Sequence, residues 1–191
     1  MTGEAPETLS QPNRLVSSLS SELIERVLQP YLPASRFVQS ARLDRPRHAR
    51  LPQSDDPDSW LRLDVQCAID APCYIEATGH FNAVELNITY NQMIYLCLAE
   101  ALRLRLFPQP AWSLEDFFKA QLPHVLIVDY QARFRRPMMS ARYSSWLMIE
   151  SVQARPKRNL LLLKTRCAAT DDGNDKNEAQ VSIALVDWPS A

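Results

Sequence analysis

Hydrophobic and polar residues alternate in two different ways along this chain, and the changes between them outline the fold. Apolar residues recur at helical spacing over 20–28, where Ser20 is in position to cap a helix and prolines follow its end. Residues 60–69 instead alternate apolar and polar side chains, which is typical of a half-buried strand. A short strand is also predicted over 36–43.

Residues 87–106 contain no proline or glycine, and their apolar side chains lie on nearly all sides. This predicts a buried helix. The stretch 84–90 also alternates like a strand, so periodicity leaves the start of the helix open, although the length favours helix. Ser113 is placed to cap a short helix after it. Four strand-like segments follow: 124–134, 143–153, 159–169 and 179–186.

One helix that is apolar all round must be enclosed, and an antiparallel sheet curling around it satisfies that need. The expected fold is therefore α+β, of the hot-dog type, with an antiparallel sheet wrapped around one long central helix. Residues 1–17 are polar and predict a flexible tail, which leaves 18–191 as a single hot-dog domain. The proline-rich, charged segment 44–59 is either a solvated insertion or a flap whose arginines meet the phosphates of a carrier arm.

Composition and charge exclude several kinds of partner. The net charge of −1 provides no basic surface for nucleic acid, and no apolar run reaches the roughly 18 residues that a membrane span needs. The N-terminus lacks the features of a signal peptide, so we expect a cytoplasmic protein. The four cysteines form no CxxC pair, and the three histidines are not spaced to complete a metal site. We therefore expect free thiols, no metal and no cofactor.

Glycine is scarce, with only three in the whole chain. A P-loop or a dinucleotide-binding loop needs several glycines within a few residues, and a nucleophile elbow needs glycines on both sides of a serine. None of these can be built from Gly3, Gly79 and Gly173. Nucleotide-driven and serine-hydrolase mechanisms are therefore disfavoured.

The segment Thr78–Glu85 is the strongest candidate for chemistry. Gly79 permits a positive φ or a close ligand approach immediately before His80. Polar residues are dense where the buried helix is expected to begin, and buried polar groups are costly unless they find partners. This density indicates a lined pocket; the alternative is a turn, a helix cap and a buried network. The polar residues are His80, Asn82, Glu85, Asn87, Thr89, Asn91 and Gln92.

The run Thr78-Gly79-His80-Phe81-Asn82-Ala83-Val84-Glu85-Leu86 closely resembles the FcoT family of fatty-acyl thioesterases. The resemblance continues over roughly residues 20–187, in Arg26–Tyr31, Tyr74-Ile75, Asn91-Gln92, Trp112–Asp116 and Arg133–Pro137. It implies a hot-dog fold and a homodimer or a higher oligomer of hot-dog dimers.

The resemblance also implies an activity, because some members of this family add glycine to a 2-enoyl thioester. The expected reaction is conjugate (Michael) addition of glycine to an α,β-unsaturated acyl thioester, carried by coenzyme A or a carrier protein. Hydrolysis then releases a 3-[(carboxymethyl)amino] fatty acid. A simple fatty acyl-CoA thioesterase and a non-catalytic acyl-binding module are the alternatives.

Several residues gain expected roles from the resemblance. His80 is the expected base, and Glu85 is either a competing base or the group that orients His80. Asn82 and Asn91 are expected to donate amide hydrogen bonds or hold the water. Tyr74 joins them as a catalytic residue. Their structural alternatives are helix capping and a buried network.

Substrate contacts are expected from Tyr31, Gly79 and Phe81, and oxyanion support from backbone amides near the start of the helix. Arginines close to the end of a predicted strand are candidates for the glycine carboxylate or for phosphates of the carrier, because arginine grips such anions bidentately. They are Arg133, Arg135 and Arg136. If the strand continues through them, Arg136 lies on the opposite face from the other two.

Overall fold

The computed structural model describes residues 14–47, 51, 60–71, 74, 76, 79–107, 109–171 and 177–189. Its helices are α1 (Ser21–Leu28), α2 (Ala83–Arg103) and α3 (Leu114–Ala120). Its strands are β1 (Arg14–Ser18), β2 (Val38–Pro46), β3 (Leu61–Ala68), β4 (Val125–Phe134), β5 (Arg142–Arg155), β6 (Leu160–Thr170) and β7 (Asn177–Val186). Nearly every element expected from the hydrophobic pattern is present, with ends that differ by a few residues.

The described strands form one antiparallel sheet in the order β1-β2-β3-β5-β6-β7-β4. The middle of α2 is fully buried, and its side chains pack against those of β2, β3 and β5. Because α2 is apolar on nearly all sides, it needs this enclosure. The expected hot-dog arrangement of an antiparallel sheet around one long helix is confirmed.

The ends of the helices follow their capping residues. Ser20 and Ser113 cap α1 and α3, as predicted. Ser20 accepts a hydrogen bond from the Leu23 amide, and Ser113 forms a capping box with Asp116. Asn82 and Glu85 form a second capping box, which fixes the start of α2 at Ala83. The ambiguity over 84–90 is therefore resolved in favour of helix, because the cap satisfies the first amides.

Two segments that were expected to be irregular, 1–17 and 44–59, contain strand residues at one end. Residues 14–17, expected in the flexible tail, belong to β1, which pairs with β2; Arg14 also bonds Asp44 at 2.8 Å and the Trp60 carbonyl at 2.8 Å. The segment 44–59 begins as strand, because β2 continues to Pro46. Leu51 is buried and its amide bonds the Leu106 carbonyl at 2.9 Å. Residues 1–13, 48–50 and 52–59 lie outside the described residues.

Strand β4 forms one edge of the sheet and carries exposed apolar side chains. Leu126, Ile127 and Val128 are 42%, 38% and 59% exposed, and the pairing with β7 shifts register between Ile127 and Asp129. Among the described strands, only β7 pairs with β4. This leaves a row of backbone groups open for pairing with another strand.

Three cysteines lie in the core of the described part of the chain. Cys67, Cys97 and Cys167 are free thiols, and burial raises the pKa of each to about 12. Cys73 lies outside the described residues. Within the ranges given above, no helix is both long enough and apolar enough to cross a membrane.

Candidate functional site

A cavity of about 330 Å³ opens at the N-terminal end of α2. Three segments that are distant in sequence line it: residues 80–83, the residues at and after the end of β4, and the first residue of β7. The lining residues are His80, Phe81, Asn82, Ala83, Phe134, Arg135, Arg136, Pro137 and Asn177. The Thr78–Glu85 motif therefore contributes one wall of a cavity, although Thr78 itself lies outside the described residues.

Phe81 anchors this wall. Its amide donates to the Met138 carbonyl at 2.9 Å, and its buried ring packs on Tyr143 with centroids 4.8 Å apart. Tyr143 shares a 2.7 Å hydrogen bond with Thr89, whose hydroxyl donates to the Glu85 carbonyl. The loop before α2 is therefore held against both the β5 side of the sheet and the chain that follows β4.

Gly79 has the positive φ predicted for it, at 79°. A Cβ built at this position meets nothing within 4 Å. Glycine is therefore required here by backbone conformation rather than by close packing. This turn presents the exposed His80 at the mouth of the cavity.

Asn82 contacts two other predicted site residues, Glu85 and Tyr74. Its Oδ1 accepts from the amides of Val84 at 2.9 Å and Glu85 at 3.3 Å, while Glu85 Oε2 accepts from the Asn82 amide at 2.9 Å. Its Nδ2 donates to the Tyr74 hydroxyl at 2.5 Å. The capping role and the contact with Tyr74 are therefore combined in one side chain. The amides of Val84 and Glu85, which we expected to support an oxyanion, are occupied by this cap.

Glu85 and His80 interact electrostatically. Burial raises the pKa of the Glu85 carboxyl, while its hydrogen bond from the Asn82 amide and the nearby charge of His80 both lower that pKa. The structure therefore places the two candidate bases close enough to influence each other. It also shows Glu85 committed to the helix cap.

The arginines divide between two cavities. Strand β4 ends at Phe134, so the condition for placing Arg136 opposite Arg133 and Arg135 is not met. Both Arg135 and Arg136 line the His80 cavity. Arg135 forms a 2.7 Å ion pair with Glu178. Among the described residues, Arg136 has no ion-pair partner. Arg133 instead lines a second cavity of about 250 Å³ with Gln131, Arg166 and Gln180.

Asn91 and Tyr31 lie away from the His80 cavity. Asn91 is nine residues beyond Asn82, about 13 Å along the helix, and it bonds Asn87 at 2.8 Å. It belongs to a partly exposed face of α2 whose members recur every three or four residues: Val84, Asn87, Ile88 and Asn91. Tyr31 packs against the core near Tyr95, and burial raises its pKa well above the ordinary value.

Part of the polar density that indicated a pocket has a structural cause. Gln92 accepts from the amides of Phe37 and Val38 at 3.0 and 3.1 Å and donates to Ser35. It therefore fastens the start of β2 to α2.

Sequence reasoning missed Asn177, which enters the cavity because β7 pairs it opposite Phe134. No feature of the local sequence marks it, because the register of β4 and β7 decides its position.

Comparison with known proteins gives a consistent result. The family model for the FcoT-like thioesterase domain matches residues 26–185. A Mycobacterium marinum protein named (2E)-enoyl-ACP glycyltransferase, where ACP is acyl carrier protein, is 33% identical over 91% of this chain and 90% of its own length. A Streptomyces coeruleorubidus protein of the same name is 35% identical, over 70% of this chain and 74% of its own length.

Solved structures with similar architecture include two bacterial proteins provisionally described as thioesterases. The one from Syntrophus aciditrophicus has a TM-score of 0.49 and 10% identity, covering 86% of this chain and 95% of its own. The one from Shewanella oneidensis has a TM-score of 0.47 and 13% identity, covering 87% and 99%.

Proposed function

The chain belongs to the family of FcoT-like thioesterase domains, and we propose that it adds glycine to a 2-enoyl thioester and then hydrolyses the thioester. The relatives named (2E)-enoyl-ACP glycyltransferase support the first step, and the thioesterase family supports the second. The observation that carries the proposal is the cavity at the start of α2, which combines His80 with Arg136. These are a titratable group and a cation available for a carboxylate.

The reaction needs a neutral amine. The glycine nitrogen forms a bond to the β-carbon of the enoyl group, the electron pair moves to the thioester oxygen, and the α-carbon then takes a proton. His80 is the group proposed to take the proton from the amine nitrogen as the N–C bond forms and to return it to the α-carbon, since an imidazole can both accept and donate a proton. The Glu85 carboxylate stabilises the positive charge that His80 then carries.

The glycine carboxylate must be held while its amine reacts. Arg136 is the better of the two cavity arginines for this contact, because Arg135 is already paired with Glu178. Guanidinium binds carboxylate in a bidentate geometry that fixes the direction of the amine. Glycine is therefore expected to enter with its carboxylate toward the chain that follows β4.

Negative charge on the thioester oxygen appears in both steps. Of the amides near the start of α2, Ala83 lines the cavity, and no group in the described part of the chain accepts its hydrogen bond. A backbone N–H at a helix N-terminus favours an oxyanion, and such a donor contributes roughly 3–4 kcal/mol. In the second step water attacks the carbonyl carbon, the C–S bond breaks, and the thiol leaves with a proton.

The acyl chain is expected to arrive on an acyl carrier protein, which the names of the relatives specify. Coenzyme A presents the same phosphopantetheine arm. Comparing turnover of one enoyl group on the two carriers measures the preference.

A homodimer is the expected assembly. Among the described strands, β4 is paired on one side only, and it carries exposed apolar side chains. Antiparallel pairing with the β4 of a second copy would cover both features. The face of α2 that carries Asn91 is also partly exposed in the single chain. Sedimentation of the purified protein tests this expectation.

The activity is tested with one enoyl thioester in the presence and absence of glycine. Mass spectrometry should detect a free acid heavier than the parent enoic acid by one glycine, and its formation should depend on glycine concentration. His80→Ala should reduce it strongly. A saturated thioester is the control, because it cannot accept the addition. Cleavage of both thioesters at equal rates, with no glycine adduct, would instead establish a simple acyl thioesterase.

A further inference from the structure

Asn177 is a buried amide in the wall of the His80 cavity. It is the first residue of β7, only 1% of its surface is exposed, and it pairs with Phe134 on one side and Ala169 on the other. Neighbouring strands on both sides therefore fix its backbone. Its position does not depend on a loop.

Both polar atoms of the Asn177 side chain lack a hydrogen-bond partner among the described residues. In that part of the chain, it is the one residue for which two buried side-chain atoms are unpaired. Gln92 and Thr89, two buried polar side chains of α2, do have hydrogen-bond partners. A buried amide without partners destabilises a fold, so its presence in a cavity wall points to a ligand that supplies the bonds.

We propose that the Asn177 carboxamide binds the glycine that the enzyme adds, accepting a hydrogen bond from the amine and donating one to the carboxylate. This assignment rests on the proposed function. Glycine carries an amine donor and a carboxylate acceptor on one carbon, and a primary amide offers an acceptor and a donor side by side. Arg136, which lines the same cavity, donates hydrogen bonds to the carboxylate oxygens that Asn177 leaves free.

The amide is better suited to this role than a carboxylate. A negative charge at this position would favour the ammonium form of glycine, which has no lone pair for attack, and would repel the glycine carboxylate. The neutral Oδ1 accepts an N–H of the free amine and leaves its lone pair directed at the enoyl group. No proton is transferred to or from Asn177, so it is a substrate-binding residue with no part in acid–base chemistry.

The test uses Asn177→Leu, which keeps the number of side-chain heavy atoms and the branching at Cγ but removes both polar atoms, and Asn177→Asp, which keeps the shape and adds charge. Ser151→Ala is the matched control, because Ser151 is also buried with an unpaired hydroxyl but does not line the cavity. For each protein, the melting temperature, the KM for glycine and the ratio of glycine adduct to unmodified free acid are measured.

Asn177→Leu should melt at or above the wild-type temperature, since an unpaired polar group is removed, while its KM for glycine rises at least tenfold. The adduct ratio should fall by a similar factor. Asn177→Asp should also raise this KM, and Ser151→Ala should leave it unchanged.

An unchanged glycine KM in either folded Asn177 variant would overturn the assignment. So would a lower melting temperature in Asn177→Leu with addition and hydrolysis reduced equally, because that is the result of a structural role. If wild-type protein forms no glycine adduct at all, the proposed function itself fails. The two failures are therefore distinguishable.

Discussion

Replacement of Asn82 by alanine should reduce both stability and activity, and the two effects can be separated. The alanine removes the acceptor for the amides of Val84 and Glu85 and the donor to Tyr74. Loss of an N-cap costs about 1 kcal/mol, which corresponds to a fall in melting temperature of about 2–4 °C for a domain of this size. Loss of one positioning hydrogen bond in the site costs a further ~1 kcal/mol, or roughly fivefold in kcat/KM.

The chain supplies a matched control in α3. Ser113 and Asp116 form the same capping box, with the Asp116 amide donating to Ser113 Oγ at 3.1 Å, and neither residue lines the cavity. Ser113→Ala should therefore lower the melting temperature by a similar amount and leave glycine addition unchanged. Asn82→Ser adds a third measurement, because serine still caps a helix but is too short to reach Tyr74.

Melting is followed by circular dichroism and turnover by mass spectrometry of the glycine adduct. Asn82→Ser should retain most of the stability and show most of the loss in activity. An Asn82→Ala protein that melts at the wild-type temperature would refute the capping argument. Equal loss of activity in Ser113→Ala would refute the assignment of Asn82 to the site.

Three further predictions follow from the cavity. Because burial raises the Glu85 pKa above its ordinary value near 4.5, the folded protein binds this proton more tightly than the unfolded chain does. The contribution of Glu85 to stability should therefore fall as pH rises from about 4.5 through the folded-state pKa. Glu85→Gln should make the melting temperature less dependent on pH in that range. Arg136→Met should raise the KM for glycine more than Arg135→Met does, because Arg135 is already paired with Glu178. The reverse order in steady-state kinetics would contradict the assignment of Arg136 to the glycine carboxylate. Gly79→Ala should destabilise by about 1 kcal/mol through its positive φ, and an asparagine there should cost less, as denaturant titration can show.

Hydrophobic periodicity was sufficient to predict the fold because most helices and strands show a clear helical or alternating pattern of apolar residues. A helix that is apolar on nearly all sides and strands with clear alternation have few ways to bury their surfaces together. The pattern failed at β1, where five residues gain their structure from pairing with β2 and from the contacts of Arg14. Such a strand has little local signal, because its stability comes from its neighbour.

The candidate site could be predicted only where it is continuous in sequence. The motif from Gly79 to Glu85 is local, so its residues were identified together and the structure keeps them together. Asn177 could not be identified, since its place in the cavity depends on strand register. Likewise, the end of β4 at Phe134 separates Arg133 from Arg136, and periodicity does not locate strand ends to one residue.

The position of β4 at the edge of the sheet has a consequence for local unfolding. Its only strand neighbour in the described sheet is β7, so opening it breaks one ladder, whereas opening β6 breaks two. Amide hydrogens of β4 should therefore exchange faster than those of β6. Phe134, the last residue of β4, lines the cavity, so such openings reach the cavity wall. If a second β4 pairs here, exchange in this strand should slow as the protein concentration rises, so the same measurement reports on assembly.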